Sequence, residues 1–412
     1  MSIAWDRLYA GRLGRMTTSA IRDILKVAQS PDIIPFAGGW PEAELFPIEQ
    51  ISLICEEVLD GHPRQSLQYG LTDGEPLLRQ TLAEDMTRRG VKVGPENIVI
   101  VSGSQQALDL IPRILVDAGD TVLVENPTFL GALQSFNAYG PRYVSVPLDE
   151  QGASAEAMER LLADQPVKFM YLIPTFHNPT GITMSLERRE RIVALASEAG
   201  VPIVEDDPYG RLRFRGEGLP TLASIDNARN AGDANRATVL YLGTFSKTLA
   251  PGLRLAWVVA PEEIAHKLVM AKQGVDLHTS GLSQMIAYEF LRRGWLDPQV
   301  ERIRQTYAAR CEAMCEAIDA YFPAGARYVR PDGGLFLWVI LPEGIDTAEL
   351  LRDAAARGVA FVPGAPFFID GSGANTFRMT YASVPADTIR RGIRILGELL
   401  HERIADLPAA SV

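Results

Sequence analysis

The sequence predicts an α/β protein built on a large, mostly parallel sheet, followed by a smaller α+β region. Two observations carry this expectation. Between Ile98 and Ala260, short β-branched runs alternate with longer segments of helical period, the pattern of βα units around a two-sided sheet. Beyond residue 296, strand-like runs are set among helices without that regular alternation. The 412 residues suffice for two domains around sizeable cores.

Taken in order, residues 1–45 hold one helix over Ser19–Gln29 and a Gly/Pro-rich stretch, Phe36-Ala37-Gly38-Gly39-Trp40-Pro41. They read as an arm that packs with the smaller domain. The large domain spans 46–295. Its strands are expected at Ile98–Val101, Thr121–Glu125, Phe169–Ile173, Ile203–Asp206, Val239–Gly243 and Leu255–Ala260. Helical periods lie between them at Gln105–Val116, Leu186–Glu198 and Glu262–Gln273. Ser185 caps the second of these, and Gly200 follows its end. A long amphipathic stretch from about Gln284 to Tyr321 leads into the small domain, 296–412. Strands are expected there at Tyr328–Leu341, Ala360–Val362 and Thr376–Tyr381.

Composition excludes several classes. A net charge of −11 argues against a nucleic-acid partner, because phosphate backbones need clustered Lys and Arg. Apolar runs such as Phe169–Pro174 are strand-length and too short to cross a bilayer. The opening Met1-Ser2-Ile3-Ala4-Trp5-Asp6-Arg7 lacks a charged-then-apolar signal pattern, so a cytoplasmic protein is expected. The cysteines Cys55, Cys311 and Cys315 supply neither a metal-ligand set nor a disulfide framework.

The most informative segment runs from Gly243-Thr244-Phe245-Ser246-Lys247-Thr248 to Arg254. It follows an apolar strand, so Lys247 falls on the carboxyl edge where ligands of open α/β sheets collect. An amine flanked by hydroxyls, with an arginine seven residues on, has the parts to hold a phosphorylated aldehyde. The amine forms an imine, and the hydroxyls and guanidinium bind the phosphate. In isolation, a Ser-Lys pair would read as a solvated loop. Upstream, Val204-Glu205-Asp206-Asp207-Pro208-Tyr209 ends another apolar strand in carboxylates. A carboxylate there can keep a pyridine nitrogen protonated, and Tyr209 can reach a ring oxygen; alone, such an Asp is a turn or cap residue. Asn178-Pro179-Thr180-Gly181 is good turn chemistry that also offers Asn178 to the ring oxygen. Ser102-Gly103-Ser104-Gln105 joins strand to helix through small residues, leaving backbone N–H groups free for an anion. It is neither a Walker loop nor a dinucleotide fingerprint.

This ordered set resembles the class I/II aminotransferases of pyridoxal-5′-phosphate (PLP) fold type I, and more narrowly the 2-aminoadipate/kynurenine aminotransferase subgroup. The resemblance runs from about Met16 through Arg378 and includes Phe36-Ala37-Gly38-Gly39, Leu67-Gln68-Tyr69-Gly70 and Asp276-Leu277-His278-Thr279. It implies the aspartate-aminotransferase-like fold, with 46–295 as the PLP-binding domain. It makes Lys247 the residue that bonds the cofactor aldehyde and Asp206 the partner of the pyridine nitrogen. Asn178 and Tyr209 would bind the ring oxygen. Ser104, the Gln105 backbone, Thr244, Ser246 and Arg254 would hold the phosphate. Tyr69 would reach the phosphate of a neighbouring subunit's cofactor, implying a homodimer with shared active sites. Arg378 matches the arginine that clamps a substrate α-carboxylate, and Gly39 and Asn178 join it around the substrate. The sequence departs from the subgroup at the ring-stacking position, where Phe129 stands for the usual tyrosine: stacking survives and the hydroxyl's hydrogen bond does not.

The activity so implied is transfer of the amino group of an L-α-amino acid (2-aminoadipate, glutamate, leucine or an aromatic) to a 2-oxo acid such as 2-oxoglutarate, by a ping-pong mechanism. Arg22, on the Ser19–Gln29 helix that covers the substrate in related proteins, is the candidate partner of an acidic side chain. As an ordinary helix arginine it would pair with Asp23. Burial and Arg254 are expected to lower the pKa of Lys247. The same lysine, aspartate and phosphate cup also serve β-eliminating lyases and racemases, which is the main alternative. A PLP-sensing regulator would need an added DNA-binding domain, and a sugar-nucleotide aminotransferase has no use for Arg378.

Overall fold

The computed structural model describes residues 3–16, 30 and 32–405. The Ser19–Gln29 helix and Arg22 lie outside them. At the centre is an eight-stranded sheet in the spatial order Ile98–Val101, Ala256–Val259, Val239–Thr244, Ile203–Asp206, Phe169–Leu172, Thr121–Asn126, Arg142–Asp149, Gly152–Ala153. The five strands from Val239–Thr244 to Arg142–Asp149 pair in parallel. Ala256–Val259 runs antiparallel to both its neighbours, so Ile98–Val101 again points the way of the parallel five.

The strands are apolar on both faces because both faces are covered. Ile98 and Ile100 join one apolar cluster, and Val99 and Val101 the other. Met170 and Leu172 alternate in the same way with Phe169 and Tyr171. Helices Ser104–Leu115, Leu130–Asn137 and Glu262–Gln273 pack on the second cluster, whereas Pro76–Arg88, Leu186–Ala199 and Gly281–Arg292 pack on the first. Each aliphatic or aromatic side chain fully buried in these layers contributes roughly 1.5–3 kcal/mol. The expected boundary signals hold: Ser185 Oγ accepts from Arg188 N, and Gly200 takes the left-handed conformation at φ +66°.

The smaller region is a four-stranded antiparallel sheet in the order Arg327–Tyr328, Phe336–Ile340, Thr376–Thr380, Val362–Pro363. It packs with helices Leu296–Tyr321, Thr347–Ala356 and Ala386–Ala405. The first of these joins the two regions, since Leu296 and Val300 belong to the large-sheet core and Ile303 and Tyr307 to the small one. Ile34–Pro35 pairs in parallel with Val359–Ala360, tying the N-terminal chain to the small region.

Three expectations are corrected. The amphipathic stretch Gln284–Tyr321 is two helices, Gly281–Arg292 and Leu296–Tyr321, separated at Gly294, whose φ of +68° ends helical geometry. Tyr328–Leu341 is two strands divided by a turn through Gly333 and Gly334. Ala360–Val362 splits, with Val359–Ala360 pairing to the N-terminal strand and Val362–Pro363 to Thr376–Thr380. Strand Arg142–Asp149, which lacked a β-branched run, was not expected.

Candidate active site

The carboxyl ends of four strands, Ile98–Val101, Phe169–Leu172, Ile203–Asp206 and Val239–Thr244, point to one edge of the large sheet. There a cavity of about 470 Å³ opens between that edge and the small-sheet strand carrying Arg378. Gly39, Ser104, Gln105, Phe129, Asn178 and Asp206 line it, as do Tyr209, Thr244, Ser246, Lys247, Arg254 and Arg378. Twelve of the fourteen sequence-predicted residues therefore meet in one place. Arg22 lies outside the described residues. Tyr69 is not in the lining: it is 79% exposed, edge-on to His278 with ring centroids 5.8 Å apart.

One end of the cavity is built for an oxyanion. Gly103 (φ +85°) turns the chain so that helix Ser104–Leu115 starts with its first N–H groups open. Arg254, itself left-handed at φ +49°, lays its guanidinium over that glycine; a Cβ on Gly103 would sit 2.3 Å from Arg254 Nη2. Thr244 Oγ1 bonds Ser246 Oγ at 3.0 Å and accepts from Ser246 N at 3.1 Å. Ser104 Oγ is buried with no hydrogen-bond partner among the described residues. The Gln105 side chain turns away, donating to Gly131 O and Ser135 Oγ, which leaves its backbone to the cavity.

The middle suits a flat ring. Phe129 lines it beside Gly131, where a Cβ would come within 2.5 Å of the Phe129 ring. Asp206 is 3% exposed; Oδ2 accepts from the Tyr171 hydroxyl at 2.7 Å, and Oδ1 is buried without a partner among the described residues. Burial raises the Asp206 pKa to about 7, against the Tyr171 hydrogen bond, which lowers it, and with Asp207 adding to the rise. Asp207 likewise has a buried, unpartnered Oδ1 among the described residues, but it and Glu205 differ in what else they meet. Asp207 pairs with Arg89 at 3.2 Å, and Glu205 accepts from Leu222 N and Ala223 N.

Lys247 Nζ donates to Gly39 O at 2.8 Å. The residue lines the cavity and is only partly buried, yet desolvation is the largest cause lowering its pKa to about 8. Arg378 and then Arg254 add to the shift. Opposite, Arg378 is fully enclosed, donating from Nη1 to Asn178 Oδ1 at 2.8 Å and from Nη2 to Ala37 O at 3.3 Å. Its guanidinium lies 4.1 Å over the Phe336 ring, and its Nε is buried without a partner among the described residues. Burial pulls its pKa to about 10, which leaves it charged at neutral pH.

Of the buried side-chain atoms without a partner among the described residues, Ser104 Oγ, Asp206 Oδ1 and Arg378 Nε belong to residues that line this one cavity, a costly arrangement unless something is bound there. An anion fits the first, a protonated ring nitrogen the second and a carboxylate the third, so the residues present fit PLP and an α-amino acid. Reasoning from the sequence missed Tyr171, because which residue of one strand faces which of its neighbour depends on register. It also missed the apolar lining from Trp40, Leu108, Ile173 and Phe336.

The family model for aminotransferase class I and II matches residues 48–396. The chain is 42% identical to the aromatic-amino-acid aminotransferase 1 of Thermococcus litoralis, covering 98% of this chain and 96% of that protein. It is also 42% identical to the 2-aminoadipate transaminase of Thermus thermophilus, covering 98% and 99%. Among solved structures, the α-aminoadipate aminotransferase of Thermus thermophilus, complexed with N-(5′-phosphopyridoxyl)-L-leucine, superposes with a TM-score of 0.90. It is 41% identical over 98% of this chain and 100% of that one.

Proposed function

The chain belongs to the class I and II aminotransferases, and from that premise we propose that it passes the amino group of an L-α-amino acid to 2-oxoglutarate in two half-reactions. Pyridoxal 5′-phosphate is its cofactor. When bound, it supplies an aldehyde for amine exchange and a protonated ring that takes up electron density from the substrate Cα. The observation that carries the reading is that Lys247, Arg378 and Asp206, whose Oδ1 is buried without a partner among the described residues, line one cavity.

Each residue then has a task. Ser104, Thr244, Ser246, Arg254 and the Gln105 N–H hold the phosphate. Asp206 takes the ring N–H, Phe129 stacks on the ring, and Asn178 and Tyr209 hydrogen-bond its oxygen. Arg378 fixes the substrate carboxylate, which sets where the Cα proton points. Lys247, its pKa lowered to about 8, is neutral often enough near neutral pH to take that proton and return it elsewhere. Tyr69 serves the neighbouring subunit of a homodimer.

The donor side chain follows from what remains. Among the described lining residues the cations are Lys247, Arg254 and Arg378, and each has a task. Trp40, Leu108, Ile173 and Phe336 are apolar, which suits a leucine-like or aromatic side chain. The names of the two relatives, an aromatic-amino-acid and a 2-aminoadipate enzyme, support both apolar and acidic donors. An acidic side chain falls to Arg22. Spectra of the purified holoenzyme with 2-aminoadipate, glutamate, leucine or phenylalanine, without an acceptor, test the reading. Conversion to the pyridoxamine form with one oxo acid released per site is expected, and Arg22→Ala slows the acidic donors more than the apolar ones. Continuous ammonia release would replace transamination with elimination, and equal losses across donors would remove Arg22 from the site.

A further inference from the structure

Strand Ile203–Asp206 runs out into three consecutive buried carboxylates, Glu205, Asp206 and Asp207, and their surroundings differ in one respect. Asp207 has a guanidinium, Arg89, at 3.2 Å, and a phenol, Tyr241, donating at 2.8 Å from the strand on one side. Glu205 has two backbone N–H donors at the start of helix Leu222–Arg229 and feels the buried Arg189. Asp206 has a phenol alone: Tyr171, from the strand on the other side, at 2.7 Å. No Lys or Arg pairs with Asp206 among the described residues.

The position of that phenol is set by packing. Tyr171 is fully buried, registers against Val204 in the parallel ladder, and stands edge-on to Phe136 at 5.5 Å, which in turn packs edge-on to Phe169 at 5.4 Å. Burial and the adjacent carboxylate keep its hydroxyl protonated, so it donates to Asp206 and does not accept. One carboxylate oxygen is thus occupied, and the other is buried without a partner among the described residues, on a residue that lines the cavity.

We propose that Tyr171 is a positioning residue for the ring-nitrogen proton: it holds Asp206 by Oδ2 so that Oδ1 meets the ring, and it weakens the carboxylate's own claim on the proton they share. This rests on the reading that places Asp206 at the ring nitrogen. A hydrogen bond to a charged acceptor stabilises the ionised form. Without the phenol, the carboxylate becomes more basic and the shared proton moves from the ring toward it. The ring then withdraws electron density from Cα less effectively.

The test uses holoenzyme loaded with PLP carrying ¹⁵N in its ring, where the nitrogen chemical shift reports protonation directly. Tyr171→Phe removes one hydroxyl and keeps the ring that packs on Phe136. Its shift is expected to move toward that of unprotonated pyridine, with the donor half-reaction slowed roughly tenfold or more, the scale of one charge-assisted hydrogen bond. Tyr241→Phe, on the neighbouring carboxylate, is expected to leave the shift in place. Incorporating a fluorinated tyrosine at 171, which makes the phenol a stronger donor in the same space, moves the shift the opposite way. That variant decides the matter if Tyr171→Phe fails to fold. A wild-type shift in Tyr171→Phe, or in the fluorinated protein where that one decides, overturns the inference. Asp206→Asn separates it from its premise: a shift unchanged by that substitution removes Asp206 from the ring, whereas a shift that answers to Asp206 and not to Tyr171 rejects the positioning role alone.

Discussion

Arg378 Nη1 donates to Asn178 Oδ1 at 2.8 Å, which joins the small-sheet strand Thr376–Thr380 to the segment that follows the large-sheet strand Phe169–Leu172, both residues lining the cavity. In the reading above, one end of this bond takes the substrate carboxylate and the other takes the cofactor's ring oxygen. Binding of the amino acid is therefore coupled to the seat of the ring it reacts with.

That arrangement predicts how Arg378→Lys fails. A lysine cannot present two parallel N–H groups, and it would leave Asn178 Oδ1 without its donor. kcat/KM for every α-amino acid donor is expected to fall by about two to three orders of magnitude, as for loss of a desolvated bidentate pair. Cofactor content should stay near one per chain, because the phosphate cup is untouched. A loss confined to one class of donor would show that Arg378 reads the side chain instead.

Lys247 makes a prediction about pH. Its pKa of about 8 lies below the ordinary lysine value because burial, Arg378 and Arg254 all disfavour the ammonium. Covalent uptake of PLP by the apoprotein needs the neutral amine, so its rate should rise with pH up to about 8 and then level. Stability carries the same sign. Between about 8 and the unfolded value near 10.5, the unfolded chain binds the proton more than the folded apoprotein does. Over that window the wild-type apoprotein should gain stability relative to Lys247→Met as pH rises, with the penalty fully present below 8. Denaturant titrations showing a flat difference, or uptake that levels only near 10.5, would contradict the environment described.

Much of the site was legible in the sequence because open α/β sheets collect ligands at their carboxyl edge. Lys247, Asp206, Asn178 and Ser104 each follow an apolar run, so placing the strands also placed the residues. Strands Ile98–Val101 and Ile203–Asp206 have the expected bounds: the first is a short apolar run and the second an apolar start ending in carboxylates, each followed by turn residues. What could not be read depends on register and long-range packing. Arg142–Asp149 lies near the sheet's edge, with Val146 buried among exposed and intermediate residues and no β-branched core run. Tyr171 faces Asp206 only once two strands are aligned, and Phe336 lies under Arg378 only once the small sheet closes.

Phe129 stands where the subgroup usually has tyrosine, and the geometry says what should follow. It lines the cavity, with Cζ and Cε1 of its ring against Gly131. Phe129→Ala is expected to weaken PLP binding about tenfold, the scale of one aromatic stacking contact with its buried area. Phe129→Tyr restores only an edge hydroxyl and should change affinity by less than about threefold, a small fraction of the stacking contribution. Absorbance titration of the apoproteins measures both, and a larger effect for the tyrosine variant would mean that the missing hydroxyl, not stacking, dominates.

Tyr69 decides whether the site is shared. It is exposed, absent from its own chain's cavity, and held edge-on by His278 among other exposed apolar residues such as Leu67, Leu71 and Leu277. If it acts on the neighbouring cofactor, two defective homodimers should complement each other. Lys247→Ala removes the amine from its own subunit's site; Tyr69→Ala removes the phenol from its partner's. In a mixed dimer both lesions fall in one site, and the other site is wild type. Random reassembly of equal amounts should therefore restore about a quarter of the wild-type sites. A phenol acting within its own chain would leave every site in the mixture carrying a lesion, and mixing would restore nothing. Activity after co-refolding, compared with each homodimer alone, separates the two arrangements without any assumption about the preferred substrate.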